Sequence, residues 1–568
     1  MTSAGLPKLV TMDVRGYPSL GALLRDALIM HKGETLLQSY RRKRTASSWS
    51  GLDVQRYAER VTATLQDQGL EPGGRVAILA ENQPLWLVTA TGVFFAGGVV
   101  VPIDYKLSPE EQQALIGHSA AQFVVVDYGI WQAWTEAPAG AKVWVLGAPE
   151  DAALGDARRA EDLCDGPAQH RARAATDLAT IVYSSGTGGT PKGCCLSHGA
   201  YLAQLHALLG RFPMTPGDRY FSILPTNHAI DFMVGFLGPF TCGATVVHQR
   251  TLRPEFIRWT MQESAVTHMA VVPLLLEAFK RTIDERLDDL DGWRRTAADA
   301  LVDVNARLTV RAPWHAVSSR LLKPIHDAFG GKLRVLFCGG AYTDPELCRF
   351  FYRLGLPVVV GYGLTEACTV VTVNALRPYR PDSVGSVVEG VEVRLFERDD
   401  EGVGEVQVRG STVMLGYLDA PDLNEEAFMD GWLRTGDLGR FDASGALHLV
   451  GRQRDLIVTS GGKNVYPQDV ESAFSELGAE EWAVFAHNYL WPRNELTGEE
   501  LVLVVRGEMD DAMHAAFSSC NRRLPDFKRV SGVLTWSDDF PRTASMKLKR
   551  MALAEQVRDA CTPEQVRR

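Results

Sequence analysis

Several features are absent from this sequence of 568 residues. Its nine cysteines are scattered and form no CxxC pair, which argues against both a zinc site and a disulfide framework. We interpret them as reduced, mostly buried thiols of a cytoplasmic protein. Positive charge is also in short supply, with 59 Lys and Arg against 69 Asp and Glu, so nucleic acid is not expected as the main partner. Internal repeats and low-complexity runs are missing too, and the 46% of hydrophobic residues can supply large cores.

An unbroken apolar segment of membrane-spanning length is lacking as well. Residues 85–103 carry no charge, but a glycine pair and Pro102 interrupt them. We therefore predict an apolar helix through Phe95, a glycine turn and a buried strand at 99–103. The first residues lack the continuous apolar core of a secretory signal. No transmembrane span is expected, while the residues leave a peripheral membrane contact and the oligomeric state open.

Short β-branched runs alternate with longer amphipathic segments. The runs lie at 75–80, 98–103, 122–127, 142–147, 244–249, 267–273, 333–340 and 357–363. Near-continuous apolar strands separated by helix-length segments predict a large α/β domain with mainly parallel sheets covered on both faces. In the charge-rich stretch 280–328 the apolar spacing predicts two helices.

The rhythm changes from about Arg380. Closely spaced strands and turns there predict a small, mainly antiparallel β module. After about residue 458 helix-like and strand-like segments alternate again, which predicts a second α/β or α+β domain of roughly a hundred residues.

The strongest local signal is SSGTGGTPKG at 184–193, which follows a strand ending at Tyr183 and leads into a helix near Ser197 or His198. Glycines let backbone N–H groups approach phosphate oxygens, hydroxyls donate to them and Lys192 balances their charge, so the loop predicts polyphosphate binding. It is not a Walker loop, because proline and glycine replace the second glycine and the Mg²⁺-binding hydroxyl of GxxxxGK[ST]. An ordinary Gly/Ser surface loop is the structural alternative.

Six motifs follow one another in order. They are the loop at 184–193, GYGLTE at 361–366, GEVQVRGSTVMLGY at 404–417, WLRTGDLGR at 432–440, GRQRDLIVTSGGKNVYP at 451–467 and PRTASMKLKR at 541–550. Together they resemble the adenylate-forming (AMP-binding) enzymes, and the segment RLLKPIHDAFGGKLRVLFCGGA looks most like bacterial long-chain fatty-acyl-CoA synthetases. The resemblance implies an N-terminal domain over 1–453 and a small mobile α+β lid domain over 454–568, with Arg454 as the hinge.

The resemblance also implies a two-step reaction. A carboxylate attacks the α-phosphate of ATP to give acyl-AMP and pyrophosphate, and the thiol of CoA then displaces AMP, with Mg²⁺ as cofactor. The catalytic groups it implies are Lys547, Thr187, Lys192, Glu366 and His228, of which Glu366 and Thr187 also serve the metal. The binding positions it implies are Ser184, Ser185, Gly186, Gly188, Gly189, Gly340, Ala341, Gly361, Tyr362, Gly363, Thr365, Asp437, Arg452, Gly461, Gly462 and Lys463.

Each role has a structural alternative. Thr365 before Glu366 is also a helix-start pair, and Tyr362 is also a buried strand-end tyrosine rather than an adenine platform. Asp437, the implied ribose acceptor, equally suits a turn.

The same holds for two further residues. Lys547, which by resemblance reaches the α-phosphate during adenylation, stands among solvated charges. His228, the implied gate of the acyl pocket, is alternatively a satisfied core histidine.

Two positions depart from the family pattern. Gly188 replaces a hydroxyl residue in the loop, and Met546 replaces the glycine before Lys547. The substrate expected first is a medium- to long-chain fatty acid, with an aryl or polyketide-pathway acid as the alternative. A carrier protein could replace CoA as acceptor, and a weakly active nucleotide-binding regulator is the hypothesis from a different class.

Overall fold

A computed structural model describes residues 12–184, 191–458, 464–491, 500–542 and 548–567. Among these residues, no helix combines the length and the apolarity needed to cross a bilayer. The apolar stretch at 85–103 forms a buried helix and a buried strand, as its glycine pair predicts.

Twenty-seven strands occur in the described part of the chain. In chain order they are β1 (Thr35–Arg41), β2 (Arg44–Ser50), β3 (Arg75–Leu79), β4 (Val99–Pro102), β5 (Phe123–Asp127), β6 (Lys142–Leu146), β7 (Arg158–Arg159), β8 (Leu178–Ser184), β9 (Lys192–Ser197), β10 (Arg219–Ser222), β11 (Thr245–Gln249), β12 (His268–Val271), β13 (Val335–Cys338), β14 (Val358–Tyr362), β15 (Thr372–Val373), β16 (Ser386–Val387), β17 (Val391–Phe396), β18 (Gly404–Gly410), β19 (Gly416–Tyr417), β20 (Phe428–Met429), β21 (Trp432–Phe441), β22 (Leu447–Arg452), β23 (Ile457–Val458), β24 (Asn464–Val465), β25 (Trp482–Ala486), β26 (Leu501–Arg506) and β27 (Val530–Trp536).

The same residues form nineteen α-helices. They are α1 (Leu20–Met30), α2 (Gly51–Asp67), α3 (Pro84–Phe95), α4 (Pro109–His118), α5 (Tyr128–Trp131), α6 (His198–Arg211), α7 (Ala229–Phe232), α8 (Gly238–Cys242), α9 (Pro254–Ser264), α10 (Pro273–Asp288), α11 (Gly292–Leu308), α12 (His315–Leu321), α13 (Lys323–Ala328), α14 (Pro345–Arg353), α15 (Pro421–Ala427), α16 (Pro467–Ala473), α17 (His487–Leu490), α18 (Asp511–Arg523) and α19 (Arg550–Ala560).

Two large sheets confirm the predicted α/β class. One has nine strands in the order β16-β15-β14-β13-β12-β10-β11-β1-β2, and its strands from β14 to β1 run parallel. The other has eight strands in the order β19-β9-β8-β4-β3-β5-β6-β7, and its strands from β8 to β7 run parallel. Apolar strand residues are buried on these sheets because helices cover their faces.

The later part of the chain forms smaller sheets, as the change of rhythm after Arg380 predicts. In the five-stranded sheet of β17, β18, β20, β21 and β22, strand β21 pairs antiparallel with β20 and β22. Strands β25, β26 and β27 form a mixed three-stranded sheet whose sides are closed by two apolar clusters.

For the described residues, the chain divides into two compact units. One comprises Met1–Gly339, Pro345–Glu392 and Val408–Leu433, and the other comprises Gly340–Asp344, Val393–Gln407 and Arg434–Arg568. Both large sheets belong to the first unit, and the three-stranded sheet belongs to the second. The division at 453/454 into two domains, with Arg454 as the hinge, stays a prediction.

The segment 280–328 differs from its prediction of two helices. It contains the end of α10, then α11, α12 and α13. Pro324 lies in the first turn of α13, where its ring prevents α12 from continuing through Leu322. Apolar spacing alone did not reveal these breaks.

Candidate active site

The predicted phosphate loop connects two antiparallel strands. Ser184 ends β8, Lys192 begins β9, and the two residues are partners in the register. The sequence did not predict β9, which begins at Lys192, inside the predicted loop, and lies between that loop and α6. Helix α6 does begin at His198, and the Ser197 hydroxyl caps it by accepting from the Ala200 N–H.

Several predicted positions fall outside the described residues. They are Ser185, Gly186, Thr187, Gly188, Gly189, Gly461, Gly462, Lys463, Met546 and Lys547. Their roles stay predictions from the motifs.

Glu366 is held by two hydroxyl groups. Its Oε1 accepts from Ser184 Oγ at 3.2 Å and from Tyr417 Oη at 3.1 Å. The Glu366 carbonyl also accepts from the Met414 N–H at 2.8 Å, so both its backbone and its side chain are fixed. The turn after β14, which carries Glu366, and the short strand β19, which carries Tyr417, thereby bring residues 51 positions apart in sequence to the same point.

Lys192 lies beside this group. Its Nζ is 5.1 Å from the centre of the Tyr417 ring, within the range of a cation–π contact. Burial and the neighbouring Glu366 raise the pKa of Tyr417, so its hydroxyl stays protonated and donates to the carboxylate. Ser184, Lys192, Glu366 and Tyr417 therefore form one cluster, which we call the carboxylate cluster.

Cys194 adjoins the carboxylate cluster, with its Sγ 3.7 Å from Ser184 Oγ. Burial and the nearby Glu366 raise the pKa of this thiol well above its usual range. A neutral buried thiol packs and does not attack, and Cys194 is one of the buried thiols that the sequence predicts.

A metal ion would find one fitting ligand in this cluster. Among the described residues, no group of three or more His, Cys, Asp or Glu side chains is arranged to hold a metal. Mg²⁺ commonly binds one or two carboxylates and completes its shell with waters and phosphate oxygens. Glu366, a hard oxygen donor whose orientation two hydroxyls fix, suits this mode of binding.

The turn after β14 places Glu366 in this position. Tyr362 is buried at the end of the strand and pairs with Thr372 of β15. Thr365 then begins a single 3₁₀ turn whose N-cap residue is Leu364. The alternative in which Thr365 itself caps the turn is therefore wrong. A Cβ on Gly363 would lie 1.7 Å from the carbonyl oxygen of Thr369, so only glycine fits there.

We expect Gly363→Ala to lower the free energy of unfolding by about 3 kcal/mol or more, because the turn must open to admit the methyl group. Gly210→Ala is the matched control, since Gly210 lies in α6 with open space around its Cβ position. That control is expected to gain about 0.5–1 kcal/mol from helix propensity. Chemical denaturation measures both variants, and equal stability of the two would contradict the account of the turn.

Three predicted binding positions lie near the ends of two parallel neighbours: Gly340 and Ala341 follow β13, and Gly361 lies in β14. A Cβ on Gly339 would lie 3.2 Å from the carbonyl oxygen of Gly361 and 4.0 Å from Cδ1 of Ile230. The end of β13 therefore adjoins both β14 and α7. Gly340 and Ala341 belong to the second unit, where Gly340 has a φ of 88°.

His228 precedes α7 as its N-cap residue. A polar anchor holds this short helix, because Asp231 accepts from the hydroxyls of Tyr220, Ser222 and Thr226. Complete burial raises the pKa of Asp231 to about 6. The anchor fixes the segment that carries His228 against strand β10.

Asp437 and Arg452 meet in the second unit. They are partners in the register of β21 and β22, and Arg452 Nε lies 3.1 Å from Asp437 Oδ1. The Asp437 N–H donates to Thr435 Oγ1 at 3.0 Å. The motifs predicted separate roles for the two residues and did not predict their ion pair. The DASG turn between the strands is typical of a hairpin and could have indicated that the two residues face each other.

Arg454 lies just beyond this hairpin. It sits in a short 3₁₀ turn, with Nε 3.7 Å from Asp455 Oδ1. Burial and the neighbouring Arg452 lower the pKa of Arg454 from its usual value.

The chain is similar to known proteins along most of its length. A family model described as "AMP-binding enzyme" matches residues 31–418. Mouse long-chain-fatty-acid–CoA ligase ACSBG1 is 30% identical over 459 residues, which are 75% of this chain and 63% of that protein, so the chain spans less than two thirds of this relative. The 2-succinylbenzoate–CoA ligase of Bacillus licheniformis is 27% identical and covers 87% of this chain and 92% of its own length. The structure of ATP-bound MatB from Rhodopseudomonas palustris has a TM-score of 0.75 at 26% identity and covers 96% of this chain and 99% of its own.

Proposed function

Because the chain belongs to the AMP-binding enzyme family, we propose that it joins a carboxylic acid to CoA in two steps driven by ATP. In the first step a carboxylate oxygen attacks the α-phosphorus and pyrophosphate leaves, giving acyl-AMP. In the second step the CoA sulfur attacks the acyl carbon and AMP leaves. The observation that carries the proposal is the carboxylate cluster, which joins the phosphate-loop strands to Glu366.

The first step brings an anion toward the negatively charged triphosphate, so cations and hydrogen-bond donors are its main requirement. Lys192 supplies a positive charge beside the loop, and we assign the loop hydroxyl Thr187 and the turn hydroxyl Thr365 to phosphate oxygens. Glu366 would hold Mg²⁺, which supplies charge neutralisation at the phosphates. Lys547 would reach the α-phosphate during this step alone.

The nucleotide base and sugar have their own assigned residues. The flat ring of Tyr362 and the backbone at Gly340 and Ala341 would contact adenine. Asp437 would accept from both ribose hydroxyls, for which the two oxygens of one carboxylate are suited. Arg452 would orient that carboxylate through their ion pair.

The second step takes place at the acyl carbon and would use different residues. We assign Gly461, Gly462 and Lys463 to the channel for the thiol, with Arg454 as the hinge that absorbs the dihedral change between the steps. The short 3₁₀ turn at Arg454 is an element end, where hinge residues usually occur.

A medium- to long-chain fatty acid is our first choice of substrate. The 30% identity to ACSBG1 supports it, while the similarity to a 2-succinylbenzoate–CoA ligase keeps an aryl acid as the alternative. CoA is favoured over a carrier protein because both curated relatives are named CoA ligases. A nucleotide-binding regulator, suggested by Gly188 and Met546, is disfavoured because the carboxylate cluster is complete.

The experiment that tests this function is mass spectrometry of the products. The protein is incubated with ATP, Mg²⁺ and CoA and with one acid at a time from a panel of fatty, aryl and short dicarboxylic acids. We expect AMP and an acyl-CoA thioester, with the highest rate for a fatty acid of medium or long chain. A higher rate for an aryl acid would select the alternative, and acyl-AMP that CoA never consumes would favour a carrier protein.

We expect Asp437→Asn to raise the KM for ATP by about tenfold or more. The amide has one acceptor oxygen where the carboxylate has two, and it loses the ion pair with Arg452; a hydrogen bond to a charged group contributes about 1.5–3 kcal/mol. Glu401→Gln is the control, since Glu401 is an exposed carboxylate in the turn between β17 and β18.

Deoxy nucleotides sharpen this test. The wild-type protein is expected to lose affinity for 2′-deoxy-ATP and 3′-deoxy-ATP, and the Asp437→Asn variant is expected to distinguish them less from ATP. An unchanged preference for ATP in the variant would show that Asp437 does not contact the ribose.

A further inference from the structure

The turn that carries Glu366 contains an unusual backbone conformation. Among the described residues, eight that are not glycine have a positive φ, and in seven of them φ lies between 47° and 57°. The eighth is Thr369, whose φ is 101°. A β-branched side chain rarely adopts such a conformation, because its branches clash with the backbone. The surroundings of Thr369 therefore hold it under strain.

The strain extends over two adjacent residues. Cys368, just before Thr369, has a φ of 53°. The Cys368 N–H donates to the carbonyl of Thr365 and the Thr369 N–H donates to the carbonyl of Leu364, both at 3.1 Å, so the chain reverses sharply after Glu366. Glycine would make this reversal without strain. Strained backbone of this kind persists only where neighbouring contacts hold it, and it is concentrated at functional sites.

Two side-chain hydrogen bonds fasten this turn to neighbouring helices. Thr369 Oγ1 donates to the carbonyl oxygen of Ala229, the first residue of α7, at 3.1 Å. Gln204 of α6 is fully buried, and its Oε1 accepts from the Val370 N–H at 3.0 Å. The turn is thus attached to two different helices.

Helix α7 gives the Thr369 hydroxyl a firm partner. Its residue Asp231 accepts from three hydroxyls, and its residue Phe232 is buried in ring contact with Trp86 and Tyr201. The start of α7 cannot shift without disturbing these contacts. The Thr369 hydroxyl therefore connects the turn to a fixed point of the fold.

We propose that Thr369 is a positioning residue for Glu366, whose direction depends on the strained backbone and on the hydroxyl bond to α7. The inference rests on the proposed metal role of Glu366 and extends it to a residue that acts through the turn. Freedom in the turn would let the carboxylate leave the place where it meets Mg²⁺. A misplacement of about 1 Å at a reaction centre can lower a rate about 100-fold.

Three variants at this position separate the hydroxyl from the backbone. Thr369→Ser keeps the hydroxyl, Thr369→Ala removes it and keeps the strain, and Thr369→Gly removes both. We expect acid-dependent ATP–pyrophosphate exchange within about twofold of the wild type for serine and about fivefold lower for alanine, which loses one hydrogen bond. For glycine we expect a loss of at least about tenfold, because the turn is then free to move as well.

Stability is expected to follow a different order from activity. Thermal unfolding without ATP and Mg²⁺ should give a higher midpoint for Thr369→Gly than for Thr369→Ala, since glycine adopts a φ of 101° without strain. The less active of these two variants is therefore expected to be the more stable one. A purely structural role of Thr369 would make activity fall together with stability.

A double variant shows whether Thr369 acts through Glu366. In the Glu366→Gln background, Thr369→Gly is expected to cause little further loss of exchange, because residues that act as a unit are not additive. Thr369→Gly alone should also raise the Mg²⁺ concentration that gives half of the maximal exchange.

The matched control is Ala265→Gly, since Ala265 at the end of α9 has a φ of 47°. That change relieves strain outside the turn, so it should raise the unfolding midpoint and leave exchange unchanged.

Wild-type exchange in Thr369→Gly, or a loss just as large in the Glu366→Gln background, would overturn the inference and leave the proposed function standing. A midpoint for Thr369→Gly no higher than that for Thr369→Ala would overturn it too, because the backbone would then not be strained. Absence of exchange in the wild-type protein would reject the proposed function itself, and this inference with it.

Discussion

Replacing Glu366 by glutamine is expected to lower acid-dependent ATP–pyrophosphate exchange by about 100-fold or more, in line with the loss of one charge-stabilising group from a reaction centre. Glutamine has nearly the same shape and can still accept a hydrogen bond from Ser184 or Tyr417. What it lacks is the negative charge that binds Mg²⁺. The loss should therefore appear in kcat and in the dependence on Mg²⁺, with the fold preserved.

Two further variants separate the effect of the Glu366 charge from the effect of the hydrogen bonds that hold its side chain. Tyr417→Phe removes one hydrogen bond to Glu366 and keeps the carboxylate, so we expect a loss of only about fivefold, equivalent to about 1 kcal/mol. Glu346→Gln alters an exposed carboxylate on α14 and is expected to have no effect. If Glu366→Gln matched Glu346→Gln, the metal role of Glu366 would be excluded.

Replacing Lys547 by alanine is expected to abolish pyrophosphate exchange, with a loss of about 1,000-fold, while thioester formation from supplied acyl-AMP stays largely intact. The reason is that a cation at the α-phosphate is needed where negative charge accumulates, during adenylation, and not when a neutral thioester forms. The prediction rests on the motif PRTASMK, since Lys547 lies outside the described residues.

Lys549→Ala is the matched control for Lys547, because it removes an equal charge two residues away. We expect both partial reactions to survive in this control. Equal loss of both steps in Lys547→Ala would assign that lysine another role, and full activity would remove it from the mechanism altogether.

Local patterns predicted the parallel sheets well. Strands such as β3, β5 and β14 are short β-branched runs. A near-continuous apolar run of this length is typical of a parallel strand that is buried on both faces. The glycine pair at the end of α3 likewise predicted the break between helix and strand. These elements depend on residues that are neighbours in the sequence.

The errors arose where tertiary pairing decides the structure. Strand β9 exists because residues 192–197 pair with β8 on one side and β19 on the other, which glycines and a proline did not suggest. The break after α12 depends on Pro324 in the first turn of α13.

The contacts that join distant segments at the site could not be predicted from the sequence either. Tyr417 belongs to the motif at 404–417, but its hydrogen bond to Glu366 joins two segments 51 residues apart. The ion pair of Asp437 with Arg452 required the register of a hairpin, which follows from pairing rather than from either motif.

We propose that this protein forms acyl-AMP from a carboxylic acid and ATP. ATP–pyrophosphate exchange without CoA measures this step alone, since labelled pyrophosphate enters ATP only when the first step reverses. We expect exchange that requires both an acid and Mg²⁺ and that falls about 100-fold or more in Glu366→Gln. Absence of exchange with every acid of a fatty, aryl and dicarboxylic panel, in a folded protein that binds ATP, would contradict it.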